Sequence, residues 1–161
     1  MRIFLDTNVL VSAFATRGLC SDVLRETVSS HQLIISEPLL TELERILKYK
    51  IHLPETLIKE SLSFITQIGL AAEPIDGPVL DIEDKDDIVL IYSALNGNTN
   101  LFVTGDKELL DLEKVDQMVI VNPRSFWELL KNQPIDYIGF PTRITTAIFI
   151  IHATALLRLF A

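Results

Sequence analysis

Cysteine, basic residues and low-complexity segments are scarce in this sequence, and each scarcity excludes a class of protein. Cys20 is the single cysteine among 161 residues, so neither an intramolecular disulfide nor a cysteine-based zinc site can form. Tracts rich in Gly and Ser, in Pro or in like charges are absent, and a secretory signal sequence is missing. These absences favour one folded domain in a reducing cytoplasm, long enough to bury a core without cross-links.

Positive charge is also in short supply, with 14 Lys and Arg against 22 Asp and Glu and a formal net charge of -8. This is the wrong sign for a protein that grips nucleic acid by a basic surface. Either nucleic acid is not the partner, or cations stand between the protein and the phosphates. A carboxylate cluster filled by metal would invert the local field while the remaining surface stays acidic.

Short apolar runs alternate with segments of helical periodicity. Strands are predicted over 2–5, 32–36, 101–104 and 118–121, and helices after Asp6, over 21–30, after Ser36 through 47, over 54–68, over 88–95 and over 123–130. This alternation predicts a parallel sheet covered on both faces. Ligands bind to such sheets at the carboxyl ends of strands, near a switch in strand order. Asp6 and Asp106 are both predicted to lie there.

Acidic residues interrupt apolar sequence at positions where a carboxylate is awkward. Asp6 follows a buried strand directly, and Glu42 falls about 90° from the centre of the apolar stripe of its helix. Residues 86–87 are acidic and begin a buried helix, where free N–H groups favour an anion. Asp106 follows a strand and a glycine. If these carboxylates converge, their repulsion is costly unless a divalent cation neutralises them.

Each acidic position also has a purely structural interpretation. Asp6 can cap a helix, and Asp84 with Asp87 resembles a capping pair. Glu42 alone is typical of a solvated helix residue, and Asp106 alone is as typical of a turn. The joint placement of these residues favours a site.

Four segments in this order and spacing resemble the motifs of the PIN domain family. They are Ile3-Phe4-Leu5-Asp6-Thr7-Asn8-Val9-Leu10, Ser36-Glu37-Pro38-Leu39-Leu40-Thr41-Glu42-Leu43, Asp84-Lys85-Asp86-Asp87 and Val103-Thr104-Gly105-Asp106-Lys107. The likeness extends over about residues 1–130 and is greatest to the branch described as toxins of toxin-antitoxin pairs, the VapC-like ribonucleases. It implies a three-layer α/β/α fold around a central, mostly parallel sheet of four to five strands.

Carried over by position, the resemblance implies that the catalytic and metal-binding carboxylates are Asp6, Glu42, Asp87 and Asp106, with Asp86 a close neighbour at the metal. Asp87 is preferred over Asp86 because its distance to Ala94 matches the family pattern. Asn8 and Thr104 match polar positions that orient ligands or water. The implied activity is Mg²⁺- or Mn²⁺-dependent cleavage of RNA. An antitoxin protein is the implied partner, and homodimers are common in the family.

Two alternatives stay open. A phosphatase or receiver-type domain also places carboxylates around Mg²⁺ at strand ends. Aspartyl-phosphate transfer would require a second Asp two residues after Asp6, where this chain has Asn8. The other alternative is a catalytically silent PIN-like module that binds RNA or a partner, and the intact acidic positions argue against it.

The C-terminal part departs from the family pattern, so the predicted division is a nuclease domain over 1–132 and an atypical apolar tail over 133–161. Residues 144–157 lack Asp, Glu, Lys and Arg, but this stretch is shorter than the roughly 20 residues that span a bilayer. An additional helix packed on the domain or on a second copy is favoured over a membrane anchor. An abnormal C-terminus that replaced a native one is the third interpretation.

Overall fold

Strands and helices alternate along the chain, which the computed structural model describes from residue 1 to residue 132. The predicted tail over 133–161 lies outside the described residues, so this division of the chain stays a prediction. The strands are β1 (Arg2–Leu5), β2 (Gln32–Ile35), β3 (Leu70–Ala71), β4 (Leu101–Val103), β5 (Lys114–Val115) and β6 (Met118–Val121). The helices are α1 (Thr7–Ala15), α2 (Leu19–Ser30), α3 (Glu37–Tyr49), α4 (Glu55–Ile68), α5 (Lys85–Asn96), α6 (Lys107–Asp111) and α7 (Pro123–Asn132).

The strands form one sheet in the order β3-β2-β1-β4-β6-β5, parallel throughout except for the antiparallel β5–β6 pair. The chain builds outward from β1 to β3 and then returns to place β4 on the other side of β1, so the strand order switches between these two strands. Leu5 lies beside Val103 in the register, and the N–H of Asp6 donates to the carbonyl of Val103 at 2.9 Å. The segments that follow β1 and β4 therefore meet where open α/β sheets bind ligands.

The predicted fold class is confirmed, because helices flank a central, mostly parallel sheet. The predicted count of four to five strands was too low, since the sheet has six. The two additional strands, β3 and β5, contain two residues each. A two-residue strand has no alternation of apolar and polar positions to detect. The five-residue helix α6 was not predicted for a similar reason.

Polar caps begin the helices that border the site. The Ser36 hydroxyl accepts the N–H of Leu39 at 3.4 Å at the start of α3. Asp84 caps α5 and accepts the N–H of Asp86 at 2.8 Å. These caps fix where α3 and α5 begin, and so fix the positions of Glu42 in the second turn of α3 and Asp87 in the first turn of α5.

Stacked aromatic rings support the sheet at the strand switch. Phe4 on β1 and Phe102 on β4 are fully buried, with ring centroids 5.1 Å apart and planes 7° from parallel. Aromatic contacts of this kind stabilise a core beyond the area that they bury. The stack holds the two strands whose ends carry the site.

Across residues 1–132, none of the helices combines the length and apolar character required to cross a membrane.

Gly97 ends α5 in a space that leaves no room for a side chain. An added Cβ would lie 2.5 Å from Cγ2 of the buried Ile34 and 3.2 Å from Cβ of Ala72. We expect Gly97→Ala to lower the free energy of unfolding by about 1–3 kcal/mol through overpacking, measured by urea denaturation. Gly18→Ala is the control, since no atom lies within 4 Å of its added Cβ. Equal stability of the two variants would contradict this account of the core.

Candidate metal centre

Asp6 is a carboxylate with only 3% of its surface exposed, at the end of β1. Its Oδ1 accepts the N–H of Thr7 at 2.7 Å and so caps α1. Its Oδ2 accepts the Thr104 hydroxyl at 2.6 Å and the Asn8 amide at 2.8 Å. These three hydrogen bonds offset part of the cost of burying the Asp6 carboxylate away from water. Asp6 is therefore both a helix cap and a member of the acidic cluster.

Asn8 and Thr104 join the end of β1 to the turn after β4. The buried Thr104 hydroxyl, which donates to Asp6, also accepts the N–H of Asp106 at 2.9 Å. The side-chain oxygen Oδ1 of Asn8 accepts the N–H of Gly105 at 3.2 Å, and its side-chain nitrogen Nδ2 lies 3.4 Å from Thr104 Oγ1. Both residues were predicted to orient ligands, and the structure places both against Asp6.

Asp106 begins α6, where its Oδ1 accepts the N–H of Glu108 at 2.7 Å and that of Leu109 at 3.5 Å. The Glu108 carboxylate in turn accepts the N–H of Glu83 at 2.7 Å, just before α5. Glu108 thus ties the Asp106 turn to the segment that leads to Asp87. Sequence analysis missed Glu108, because a contact across 25 residues leaves no local pattern.

Glu42 approaches the cluster from α3, with 29% of its side chain exposed. Its Oε2 accepts the hydroxyl of Thr7 at 2.7 Å, and its Oε1 lies 3.9 Å from a guanidinium nitrogen of Arg45. Arg45 is 56% exposed, so this long ion pair contributes little. Sequence analysis named neither Thr7 nor Arg45 as a partner of Glu42. The structure thus brings Glu42 to the residue that follows Asp6.

Asp87 is half-buried near the start of α5, whereas Asp86 is exposed. The pKa of Asp87 is raised from 3.8 to about 7, first by burial and then by neighbouring negative charges. Those charges are on Asp6, Asp84, Asp106 and Glu42. The electrostatics therefore couple Asp87 to all three other predicted carboxylates. Asp86 instead donates its backbone N–H to Asp84, the residue that caps α5.

The pKa of Asp6 is raised from 3.8 to about 6. Burial is the main cause, and the charges of Glu42 and Asp106 raise it further, whereas hydrogen bonds from Thr104 and Thr7 lower it. Burial and the neighbouring negative charges therefore make Asp6 and Asp87 easier to protonate than exposed carboxylates. A divalent cation would relieve this repulsion.

The carboxylates nevertheless do not form a closed metal cage. Between residues 1 and 132, no three acidic, histidine or cysteine side chains are grouped closely enough to hold an ion by themselves. Mg²⁺ commonly keeps several waters and uses only one or two carboxylates together with substrate phosphates. The donors here are all hard carboxylate oxygens. The residues therefore fit a hydrated divalent cation that also contacts the substrate.

The fold and this cluster define an α/β protein with an acidic site at the switch point of a parallel sheet. Residues 2–108 match the PIN domain family, and this match covers more than half of the chain. The chain therefore belongs to the PIN domain family. VapC toxins of this family are typically nucleases, and the family generally uses divalent metals.

Comparison with solved structures gives a similar fold in the crystal structure of VapBC2 from Rickettsia felis bound to a DNA fragment from their promoter. The TM-score is 0.54 and the identity 18%, over 76% of this chain and 98% of the other. At this identity the likeness concerns the fold alone. No curated protein matches the sequence.

Proposed function

We propose that the protein is a metal-dependent endoribonuclease that hydrolyses RNA phosphodiester bonds, and that it is the toxin of a type II toxin-antitoxin pair. The observation that carries this proposal is the convergence of carboxylates from separate segments. The Thr104 hydroxyl donates to Asp6 and accepts the N–H of Asp106, and Thr7, next to Asp6, donates its hydroxyl to Glu42. Membership of the PIN domain family supports nuclease chemistry over the phosphatase and receiver alternatives.

Asp6 and Asp106 would hold one or two Mg²⁺ or Mn²⁺ ions together with Glu42 or Asp87, and Asp86 would be a neighbouring ligand at most. When bound by these residues, such an ion would supply a water of lowered pKa and would stabilise the negative charge that develops on the phosphodiester oxygens. Glu42 or Asp87 would orient the attacking water by accepting a hydrogen bond from it. Asn8 and Thr104 hold Asp6 in one orientation throughout.

The substrate proposed is single-stranded RNA or an RNA loop, because an open acidic site can reach splayed bases without reading a deep groove. Because the formal net charge is -8, bound cations would have to link the protein to the RNA phosphates. The VapBC2 complex that shares the fold supports an antitoxin protein as the partner of this chain, and we propose that the pair acts in the cytoplasm. Such a partner would occupy the cleft and could insert an Arg or Lys among the carboxylates.

The test is cleavage of a labelled single-stranded RNA and a hairpin RNA by the purified protein. We expect cleavage with Mn²⁺ or Mg²⁺ and none after EDTA treatment, with activity restored by added Mn²⁺. Folded protein that binds these RNAs but leaves them intact with both metals would instead support the catalytically silent module.

Asp87 and its neighbour Asp86 offer a matched pair of substitutions on one helix. Because Asp87 is half-buried and coupled to the cluster while Asp86 is exposed, Asp87→Asn is expected to lower the single-turnover cleavage rate by about 10- to 100-fold. Asp86→Asn is expected to change it by less than about 3-fold, as for most surface changes. Single-turnover RNA cleavage measures both effects. A larger loss in Asp86→Asn would reverse the assignment.

A further inference from the structure

One buried residue, Thr7, contacts two of the four carboxylates. Its backbone N–H donates to Oδ1 of Asp6 at 2.7 Å, and its hydroxyl donates to Oε2 of Glu42, also at 2.7 Å. Thr7 is the first residue of α1, and Glu42 lies 35 residues further along on α3. It therefore links the end of β1 directly to the carboxylate that comes from a separate helix.

Breaking the hydrogen bond from the Thr7 hydroxyl to Glu42 would be costly. Only 2% of Thr7 is exposed, so the hydroxyl cannot turn to water if Glu42 moves away. A buried hydroxyl without a partner is costly, and bonds to a charged acceptor are stronger than neutral ones. The hydroxyl is thus a fixed point for Glu42.

The remaining contacts of Glu42 do not position it in this way. Oε1 faces Arg45 at 3.9 Å, and the more exposed of those two side chains is Arg45. An ion pair at this distance and this exposed to solvent is weak, so a divalent cation can displace Arg45 from Glu42. Oε2 is consequently held by the protein, and Oε1 is the oxygen left for a ligand.

We infer that Thr7 is a positioning residue that holds Glu42 by Oε2 and leaves Oε1 available to a divalent cation. The inference rests on the proposed function for the presence of the ion. Its role is distinct from those of Asn8 and Thr104, which contact Asp6 but not Glu42. Side chains that orient a metal-binding carboxylate typically change metal affinity by 10- to 100-fold when they are lost.

The test measures Mn²⁺ affinity by equilibrium dialysis, without RNA, in Thr7→Val and Thr7→Ser. Valine keeps the branched shape but removes the donor, and serine keeps the hydroxyl. Thr27→Val is the matched control, since Thr27 is fully buried on α2 and its hydroxyl has no hydrogen-bond partner among residues 1–132. If Thr7→Val does not fold, Thr7→Ala replaces it. Circular dichroism checks the fold of each variant.

Thr7→Val should weaken Mn²⁺ binding by at least about 10-fold, whereas Thr7→Ser and Thr27→Val stay within about 3-fold of the starting protein. In a Glu42→Gln background, Thr7→Val should cause no further loss, because Thr7 acts through Glu42. Unchanged affinity in Thr7→Val, or equal loss in the valine and serine variants, would overturn the inference.

The proposed function can fail separately. If the protein cleaves no RNA but Thr7→Val still weakens Mn²⁺ binding, Thr7 retains its role and the ribonuclease activity is rejected. If the starting protein binds no Mn²⁺, both are rejected.

Discussion

Asp6→Asn is expected to lower metal-dependent RNA cleavage by about 10³-fold. Asp6 is the carboxylate in contact with Asn8 and Thr104, and its pKa responds to Glu42 and Asp106. Losing its charge removes several kcal/mol of stabilisation from the charged transition state, which corresponds to a rate effect of this size. Cleavage of a labelled RNA under single-turnover conditions measures it.

The substitution should not unfold the protein. Asparagine has nearly the same volume as aspartate, and its carbonyl can still accept the N–H of Thr7 that caps α1. Its amide cannot accept the hydrogen bonds that Oδ2 accepts from Thr104 and Asn8, so the variant loses some stability, and circular dichroism checks that it is folded. Asp22→Asn is the control, since Asp22 is a partly exposed carboxylate on α2 that pairs with Arg25 at 2.8 Å. Cleavage that survives in Asp6→Asn at the level of Asp22→Asn would show that a contaminating nuclease or another site is responsible.

The metal-free protein is expected to lose stability as the pH rises from about 4 to 8. The folded state raises the pKa of Asp6 from 3.8 to about 6, so it holds this proton more tightly than the unfolded chain does. The resulting stabilisation is complete below pH 3.8 and is lost as the pH rises through about 6. A shift of this size corresponds to about 3 kcal/mol. The raised pKa of Asp87 stabilises the folded state in the same way, and this stabilisation is lost as the pH rises through about 7.

Urea denaturation in EDTA at several pH values measures this loss. Asp6→Asn should have a flatter pH dependence than the starting protein, because the substituted side chain does not titrate. Added Mn²⁺ should restore stability most at pH 8, where the carboxylates are charged, and little at pH 4. An identical pH dependence in Asp6→Asn and the starting protein would mean that folding does not raise the pKa of Asp6.

Local sequence predicted the elements that position the site. The run from Ile3 to Leu5 ends abruptly at Asp6, and this change alone locates the end of β1. Ser36 and Asp84 mark the starts of α3 and α5 because capping is a contact within one turn. Alternating strands and helices also predicted that Asp6 and Asp106 follow strands near a switch in strand order, whereas the position of that switch, between β1 and β4, is given by the sheet itself.

The contacts that arrange the site could not be predicted from the same patterns. The bond between Thr7 and Glu42 depends on how α1 packs beside α3, and the bond from Glu83 to Glu108 depends on the turn after β4. Hydrophobic periodicity places a residue on a face of a helix but does not name its partner. The different burial of Asp86 and Asp87 likewise follows from tertiary packing.

The most direct measurement is anomalous X-ray scattering from crystals of the protein soaked in Mn²⁺. We expect a peak at the ends of β1 and β4, bound by Asp6 and Asp106 directly or through water, with Glu42 and Asp87 beside it. A peak confined to other carboxylates, with this cleft open to solvent and free of manganese, would contradict the account.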